Sequence, residues 1–380
     1  MGETLENHAA RVLVLVGEGA RADDALREYL SASRSLSAVG RRSVSRAVFA
    51  YFRWLHWLRP GESAQRRIVS ALDLQARFER DPSCVKVEAL AARAVPVWLA
   101  SEMDLSAGFL RRLQVEPPLW IRARLGAAAK VAGALGYCDA PVLPPALSAP
   151  ADLSALRYRG TADLHKVPAF RSGAFEIQDL SSQLVGHACA PVPGETWWDA
   201  CAGEGGKSLH LSELMRNKGL VWATDRSRRR LAILRRRAAR AGMFNYRAAE
   251  WTGAGPAPFR TLCDGVLVDA PCSGVGTWQR NPHARWTTSE RDVRELAGVQ
   301  AGLLSLAARS VRPGGRLVYS VCTLTRSETG AVADGFEAAH PDFEPAASPI
   351  AVAPGGFRVT LAPQDVDANG MFIAAWRRLR

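Results

Sequence analysis

The sequence has no hydrophobic run long enough to cross a membrane. The longest purely aliphatic stretch near its start, Val12 to Val16, is five residues, whereas a membrane helix needs about 18. Glu3 and Glu6 precede this stretch, where a secretory signal peptide would carry positive charge. We therefore expect a cytoplasmic protein with no membrane partner.

Closely spaced cysteines are also missing. The seven cysteines are odd in number, include no Cys-x-x-Cys motif and lie far apart, at positions 84, 138, 189, 201, 263, 272 and 322. A disulfide framework or a structural zinc site is built from paired or regularly spaced cysteines. We expect neither of these, and no other metal site.

Lysine is scarce in an otherwise basic chain. Only five of the 49 basic residues are lysines, and the formal net charge is +12. A basic excess of this size suits a polyanionic partner such as RNA. The arginine bias, beside abundant alanine and glycine, is also what GC-rich codons produce, so charge alone leaves RNA binding open.

Length and composition indicate an ordinary globular protein. The chain has 380 residues, of which 48% are hydrophobic and 23% charged, and this suits two or three domains. Internal repeats and low-complexity tracts are absent from the sequence. We expect a monomer.

Residues 1–115 have the apolar spacing of an all-α domain. The predicted helices are Ala25–Leu30, Val44–Trp57, Gln65–Phe78 and Val87–Val95. The second of them is rich in aromatic residues, which favours a bundle core over an RNA-stacking surface. The sequence over 116–176 predicts a small α+β connecting subdomain. Its predicted strands are Trp120–Arg124 and Ala155–Tyr158, and a proline-rich loop covers 141–150.

From residue 177 to residue 380 strand and helix patterns alternate. The predicted strands are Thr196–Ala200, Leu220–Asp225, Gly265–Asp269 and Arg316–Val321. This alternation predicts an open, mostly parallel, doubly wound α/β sheet with helices on both faces. Ligands of such sheets bind at the carboxyl ends of the strands.

The glycine-rich segment Asp199–Ser208 follows the first of these strands. It is not a phosphate loop, because Cys201 stands where that motif needs its first glycine, and Ser208 breaks the dinucleotide fingerprint. Asp225 ends the next strand, where a carboxylate can accept both ribose hydroxyls of a nucleoside. An adenosine-type ligand such as S-adenosylmethionine fits best, and a turn that merely caps a helix is the alternative.

The helix predicted after Asp225 is unusually basic. It holds eight arginines between residues 226 and 240. The sequence leaves open whether they form a solvated face or contact RNA.

Two cysteines follow two successive strands of the predicted sheet. Asp269 and Cys272 come just after one strand, and Cys322 just after the next. If these strands are neighbours, both thiols and the carboxylate converge beside the glycine-rich turn. A single buried cysteine is more often a small hydrophobic packing residue, but these two stand among Gly, Ser and Thr.

These residues carry a resemblance to a known family. Asp-Ala-Pro-Cys-Ser-Gly (269–274), followed by Asn281-Pro282, and Tyr-Ser-Val-Cys-Thr-Leu (319–324), followed by Glu328, resemble motifs of the Sun/Fmu-type RNA cytosine-C5 methyltransferases. The resemblance covers about residues 170–376 and implies a Rossmann-like methyltransferase fold. The helical N-terminus is similar to the NusB-like RNA-binding domain of the family's bacterial ribosomal RNA branch. Gly203-Glu204 and Thr329 depart from the family's usual residues, which are Ala-Pro and Asn.

The resemblance implies a division of roles. Cys322 attacks C6 of cytosine, because C5 becomes nucleophilic only after a thiolate adds at C6. Asp269 holds the base at N3, Lys207 orients Asp269, and Cys272 releases the product. The implied S-adenosylmethionine site comprises Cys201, Ala202, Gly203, Glu204, Gly205, Gly206, Lys207, Asp225, Arg230, Glu250 and Asp269.

Other functions are weighed against this one. A catalytically silent RNA-binding or ribosome-assembly protein would not need both cysteines, Asp225 and Asp269. DNA cytosine methyltransferases use the cysteine of the Pro-Cys motif as nucleophile and have no second cysteine after the next strand, so Cys322 favours RNA. Ribosomal RNA is the expected substrate, from the N-terminal resemblance, and transfer RNA is the alternative.

Overall fold

The computed structural model describes residues 4–33, 35–352 and 356–379. The chain forms two compact units: Met1–Pro117 with Thr277–Glu290, and Pro118–Gly276 with Arg291–Arg380. Within the described residues no helix is long and apolar enough to span a bilayer.

The first unit is helical. Its N-terminal helices are α1 (Leu5–Gly17), α2 (Ala22–Ala32), α3 (Ala38–Arg53), α4 (Ala64–Arg80), α5 (Val87–Arg93), α6 (Leu99–Glu102) and α7 (Ala107–Arg112). Ser37 and Ser63 cap α3 and α4 by accepting hydrogen bonds from backbone N–H groups of the first turn. The aromatic segment over 47–58 forms core, as expected: Trp54 is fully buried, and its indole N–H donates to Gln75 Oε1 at 3.0 Å.

The second unit begins with a small antiparallel sheet. Its strands are β1 (Leu119–Ala123), β2 (Cys138–Asp139), β3 (Ala155–Tyr158) and β4 (Phe175–Ile177), in the order β2-β3-β1-β4. The helices α8 (Ala128–Leu135) and α9 (Pro168–Arg171) accompany it. This sheet occupies the segment expected to connect the other two parts, and it belongs to the same compact unit as the larger sheet.

The larger sheet is mixed, in the order β10-β12-β9-β8-β5-β6-β7, with β11 paired to β12. Its strands are β5 (Thr196–Asp199), β6 (Leu220–Asp225), β7 (Tyr246–Glu250), β8 (Cys263–Asp269), β9 (Val311–Val321), β10 (Phe343–Pro345), β11 (Arg358–Leu361) and β12 (Met371–Arg378). The strands β5 to β9 run parallel to their neighbours, and the last three strands pair antiparallel. The prediction of a Rossmann-like α/β fold after a helical N-terminus is confirmed.

Helices cover both faces of this sheet. The remaining helices of this unit are α10 (Leu180–Cys189), α11 (Gly206–Leu214), α12 (Arg228–Ala241), α14 (Glu290–Ala308), α15 (Gly330–Ala339) and α16 (Pro363–Val366), whereas α13 (Ala284–Thr287) is part of the helical unit. Successive residues of β5 point to opposite faces: Trp197 packs in a core with residues of α10 and α11, and Trp198 in a second core with residues of α14 and α15. Alternation along buried strands therefore builds two cores from one sheet.

The segment Thr277–Glu290, which includes α13, belongs to the helical unit rather than to the sheet unit that surrounds it in sequence. The side chain of Arg285 is fully buried and donates to the carbonyl oxygens of Ala94 (2.9 Å) and Leu113 (3.0 Å). The indole N–H of Trp286 donates to the carbonyl oxygen of Phe52 at 2.7 Å. Carbonyls at the ends of other helices thus hold this segment, and the continuous assignment of 177–380 to one domain did not foresee it.

Candidate active site

The order in which the chain adds strands to the sheet reverses between β5 and β8. From β5 the chain continues outward through β6 and β7, whereas β8 and β9 lie on the other side. Asp225 and Glu250 are paired in register at the ends of β6 and β7. Asp269, at the end of β8, is paired in register with Ser320 of β9. Asp225 and Asp269 thus end the two strands on either side of β5, next to the switch point where open α/β sheets bind ligands, and Glu250 ends the edge strand β7.

The turn between β5 and α11 is shaped by glycine. Gly203 and Gly205 have φ angles of +55° and +86°, a region that residues with side chains rarely adopt. A Cβ atom at Gly205 would also lie 2.6 Å from Leu234 Cγ. The backbone therefore turns tightly enough for α11 to begin at Gly206.

Asp225 is the buried carboxylate of this turn. It is 5% exposed, and its Oδ2 accepts from the backbone N–H of Gly203 at 3.0 Å, while Oδ1 accepts from that of Ser227 at 2.8 Å. Arg230 Nη1 lies 3.5 Å from Oδ2. Oδ1 has a single donor and keeps a second lone pair, so the carboxylate can accept a further hydrogen bond from a hydroxyl group.

Asp199 is a second buried carboxylate beside the turn. Its Oδ2 accepts from Ser208 Oγ at 2.6 Å, and its Oδ1 is buried without a hydrogen-bond partner in the described structure. Burial raises the pKa of Asp199 to about 7. The thiol of Cys201 also has a raised pKa, first through burial and then through the charges of Asp199, Asp269 and Asp225. Cys201 therefore lines the site as an unreactive thiol.

Three further residues of the expected cofactor site, Ala202, Glu204 and Glu250, make their contacts with neighbouring protein groups. Ala202 is buried and its N–H donates to the carbonyl oxygen of Thr224 at 2.8 Å. The side chain of Glu204 is exposed, and its carbonyl oxygen accepts from Arg237 Nη1 at 3.1 Å. Glu250 is bound by Arg228.

Four of the seven arginines of α12 form ion pairs. Arg228 pairs with Glu250 and Arg230 with Asp225, while Arg237 and Arg240 both bind the buried Glu176 of β4. More than half of the arginines in this helix therefore bind neighbouring strands, which neither the solvated-face nor the RNA-contact interpretation anticipated.

Lys207 and Asp269 form a bonded pair on the other side of the turn. Lys207 Nζ donates to Asp269 Oδ2 at 2.7 Å, and Ser320 Oγ donates to Oδ1 at 2.8 Å. Burial lowers the pKa of Lys207, but the charge and hydrogen bond of Asp269, then the charge of Cys322, outweigh it and the net shift is upward. The lysine is held as a cation between a carboxylate and a thiol. Sequence reasoning missed Ser320, whose role follows only from the register of β8 and β9.

The two cysteines of the strand ends meet. Cys272 Sγ and Cys322 Sγ are 3.3 Å apart. The hydrogen bond with Cys322, then burial, and then the charges of Cys322 and Glu328 raise the pKa of Cys272 well above its usual value. The site therefore holds two thiols of unequal character, one near a lysine and one near a carboxylate. Among the described residues no group of three or more His, Cys, Asp or Glu could hold a metal ion.

Comparisons with known proteins agree on a family. Residues 187–377 match the family model described as 16S rRNA methyltransferase RsmB/F. The probable ribosomal RNA small subunit methyltransferase B of Bacillus subtilis is 38% identical over 218 residues, which are 55% of this chain and 49% of that protein. The chain thus spans about half the length of the curated relatives it matches.

Two solved structures from Pyrococcus horikoshii are similar as well. A methyltransferase homolog protein has a TM-score of 0.60 and 25% identity, with 72% of this chain and 90% of that chain covered. NSun6 with SFG has a TM-score of 0.53 and 26% identity, with 58% and 57% covered.

Proposed function

Because the chain belongs to the 16S rRNA methyltransferase RsmB/F family, we propose that it transfers a methyl group from S-adenosylmethionine to C5 of a cytosine in small-subunit ribosomal RNA. The observation that carries this proposal is the 3.3 Å approach of the Cys272 and Cys322 thiols beside the Lys207–Asp269 pair. The substrate is proposed from the names of the relatives, of which the chain spans about half.

The glycine-rich turn fits the cofactor. Asp225 keeps a free lone pair on Oδ1 for a ribose hydroxyl, and positive φ at Gly203 and Gly205 opens the backbone to close approach. The unpartnered Oδ1 of Asp199 offers one more acceptor. The similar NSun6 structure contains SFG, an S-adenosylmethionine analogue. When bound, S-adenosylmethionine supplies an electrophilic methyl group on its sulfonium.

The thiols divide the chemistry on cytosine. The sulfur of Cys322 forms a bond to C6, which makes C5 enamine-like and nucleophilic. Lys207, whose pKa the Cys322 charge helps to raise, stabilises the thiolate in return. Asp269, fixed by Lys207 and Ser320, holds the base at N3. Cys272, whose pKa is raised, serves the later step as a thiolate base: it takes the proton from C5, the C5–C6 double bond re-forms, and the bond between Cys322 and C6 breaks.

Single alanine variants of the two cysteines test this assignment. Cys322→Ala removes the covalent step and should give no protein–RNA adduct with an unmodified 16S RNA transcript. Cys272→Ala still attacks and methylates, so a covalent complex should accumulate, seen as a slow band on a denaturing gel that RNase removes. Cys84→Ala, which changes an exposed cysteine of the helical unit, is the matched control and should turn over normally.

The reverse pattern would make Cys272 the nucleophile, as in the DNA-type arrangement. The absence of any adduct in both variants, together with no 5-methylcytosine formed by the wild type, would reject the proposed reaction. Mapping 5-methylcytosine in small-subunit ribosomal RNA and in transfer RNA, with and without the protein, decides between the two substrates.

The helical unit is proposed to bind RNA and not to take part in the chemistry. Arginines 66, 77 and 80 are exposed along α4, and their spacings of 11 and 14 residues place them on one helix face. A row of cations on one face suits a phosphate backbone. We further propose that the protein works as a monomer in the cytoplasm.

A further inference from the structure

A buried carboxylate lies between the two cysteine-bearing loops. Glu328 is 0% exposed and ends the short 3-10 helix Arg326–Glu328 that follows β9. No Lys, Arg or His of the described structure forms a salt bridge with it. A buried charge without a cation is costly unless neutral donors saturate it, so its hydrogen bonds define what it does.

Those hydrogen bonds reach both loops. Glu328 Oε1 accepts from the backbone N–H of Ser273 at 2.8 Å, and Oε2 accepts from Thr323 Oγ1 at 3.1 Å and from Ser273 Oγ. Ser273 directly follows Cys272, and Thr323 directly follows Cys322. The two hydroxyl groups are also 2.9 Å apart. One carboxylate therefore ties together the residues that follow the two thiols.

A second set of contacts fixes Glu328 itself. Thr325 Oγ1 donates to its Oε2 at 2.8 Å, and Gln300 Nε2, from α14, donates to its Oε1 at 2.9 Å. Gln300 Nε2 also donates to the carbonyl oxygen of Pro271 at 2.9 Å. The backbone on both sides of Cys272 is thus connected to the same carboxylate, directly at Ser273 and through Gln300 at Pro271.

We propose that Glu328 is the positioning residue that holds the Cys272 and Cys322 loops together and so sets the approach of the two thiols. The inference rests on the proposed function for its catalytic meaning, but the geometry it claims concerns the free protein. Glu328 positions the two loops through its hydrogen bonds with Ser273 and Thr323, and it is not assigned a contact with either thiol. Its negative charge also lies on the Cys272 side, whereas Lys207 lies on the Cys322 side, so the same residue supports the unequal roles of the thiols.

The first test measures the thiol approach without RNA. A short bifunctional thiol-alkylating reagent should cross-link Cys272 to Cys322 in the full-length protein, and peptide mapping identifies the product. Glu328→Gln keeps the side-chain shape but replaces one acceptor oxygen by a donor, so two or three of the hydrogen bonds are lost. The cross-linking rate should fall at least about tenfold. Glu337→Gln, which changes a carboxylate bound by Arg358 and Trp376, is the matched control and should cross-link like the wild type.

The second test measures the pH dependence of Cys272 alkylation, which would not change if Glu328 had a merely structural role. In a Cys322→Ala background, Glu328→Gln should shift the pH dependence of Cys272 alkylation to lower pH, since the Glu328 charge contributes to the raised pKa of Cys272. With RNA, the kcat of methyl transfer by the single variant should fall by up to about 100-fold, as expected for a misplaced reacting group. Affinity for S-adenosylmethionine should stay within about twofold, because Asp225 and its turn are unchanged.

A folded Glu328→Gln protein with wild-type cross-linking and an unshifted alkylation profile would overturn the inference. If that variant does not fold, Ser273→Ala and Thr323→Val each remove one link, and unchanged cross-linking in both would overturn it equally. Failure of the proposed function looks different: the wild type would then methylate no cytosine, while Glu328→Gln would still change thiol cross-linking.

Discussion

Replacing Asp225 by alanine should weaken S-adenosylmethionine binding by about 10- to 150-fold. The carboxylate is 5% exposed, and its Oδ1 has one lone pair left after accepting from Ser227, whereas Oδ2 accepts from both Gly203 and Arg230. Hydrogen bonds to a charged group are worth about 1.5–3 kcal/mol, and about 1.4 kcal/mol corresponds to a factor of ten in affinity. Isothermal titration calorimetry measures the change directly, with Asp365→Ala, an exposed aspartate of α16, as the control.

Part of this loss could come from the turn itself, since alanine also leaves the N–H groups of Gly203 and Ser227 without an acceptor. A cycle with 2′-deoxy or 3′-deoxy analogues of the cofactor separates the two causes. If Asp225 binds the ribose, removing a hydroxyl should cost affinity in the wild type and almost nothing in Asp225→Ala. Equal affinity of wild type and Asp225→Ala would refute the site. Additive penalties would refute the ribose contact and leave only an effect on the turn.

Two further predictions concern stability and RNA binding. Burial raises the pKa of Asp199 from 3.8 to about 7, so the folded state binds the proton more tightly and stability falls as the pH rises from about 4 to 7. Asp199→Asn should therefore melt at a higher temperature than wild type at pH 8 and lose this advantage near pH 4; a lower melting temperature at pH 8 would contradict it. Replacing arginines 66, 77 and 80 of α4 by glutamine should weaken RNA binding and reduce the slope of log affinity against log salt by about 2 to 3; an unchanged slope would remove this face from the RNA interface.

The strand ends were predictable because a buried parallel strand is a short apolar run followed at once by polar residues. Leu220–Asp225 matches β6 from end to end, and the runs ending at Asp269 and Val321 end β8 and β9 where expected. The carboxyl ends of neighbouring parallel strands lie at one edge, so Asp225, Asp269 and Cys322 were expected at one site. Helix α1 (Leu5–Gly17) was not identified, since its sequence was considered only for its short aliphatic run.

The hydrogen bonds that join those residues were not predictable, because they depend on strand register and on side chains from distant segments. Ser320 reaches Asp269 only because the two are paired in register across β8 and β9. Gln300 comes from α14 and Glu328 from a turn after β9, yet both hold the backbone around Cys272. Glu328 was noted only as part of a motif. Its burial, and the five donors around it, appear when the chain is folded.

The segment Thr277–Glu290 makes the helical unit discontinuous in sequence. It follows Gly276, which donates its N–H to the carbonyl oxygen of Cys322, yet its own side chains belong to the helical core. Trp278 and Arg285 are fully buried there, and Arg285 donates to the carbonyl oxygens of Ala94 and Leu113. Deleting the residues before Pro118 would leave this arginine and two tryptophans without the helices that surround them. A loss of activity on such a deletion would not separate lost RNA binding from misfolding of the segment Thr277–Glu290, and substitutions on the exposed face of α4 are the perturbation that does.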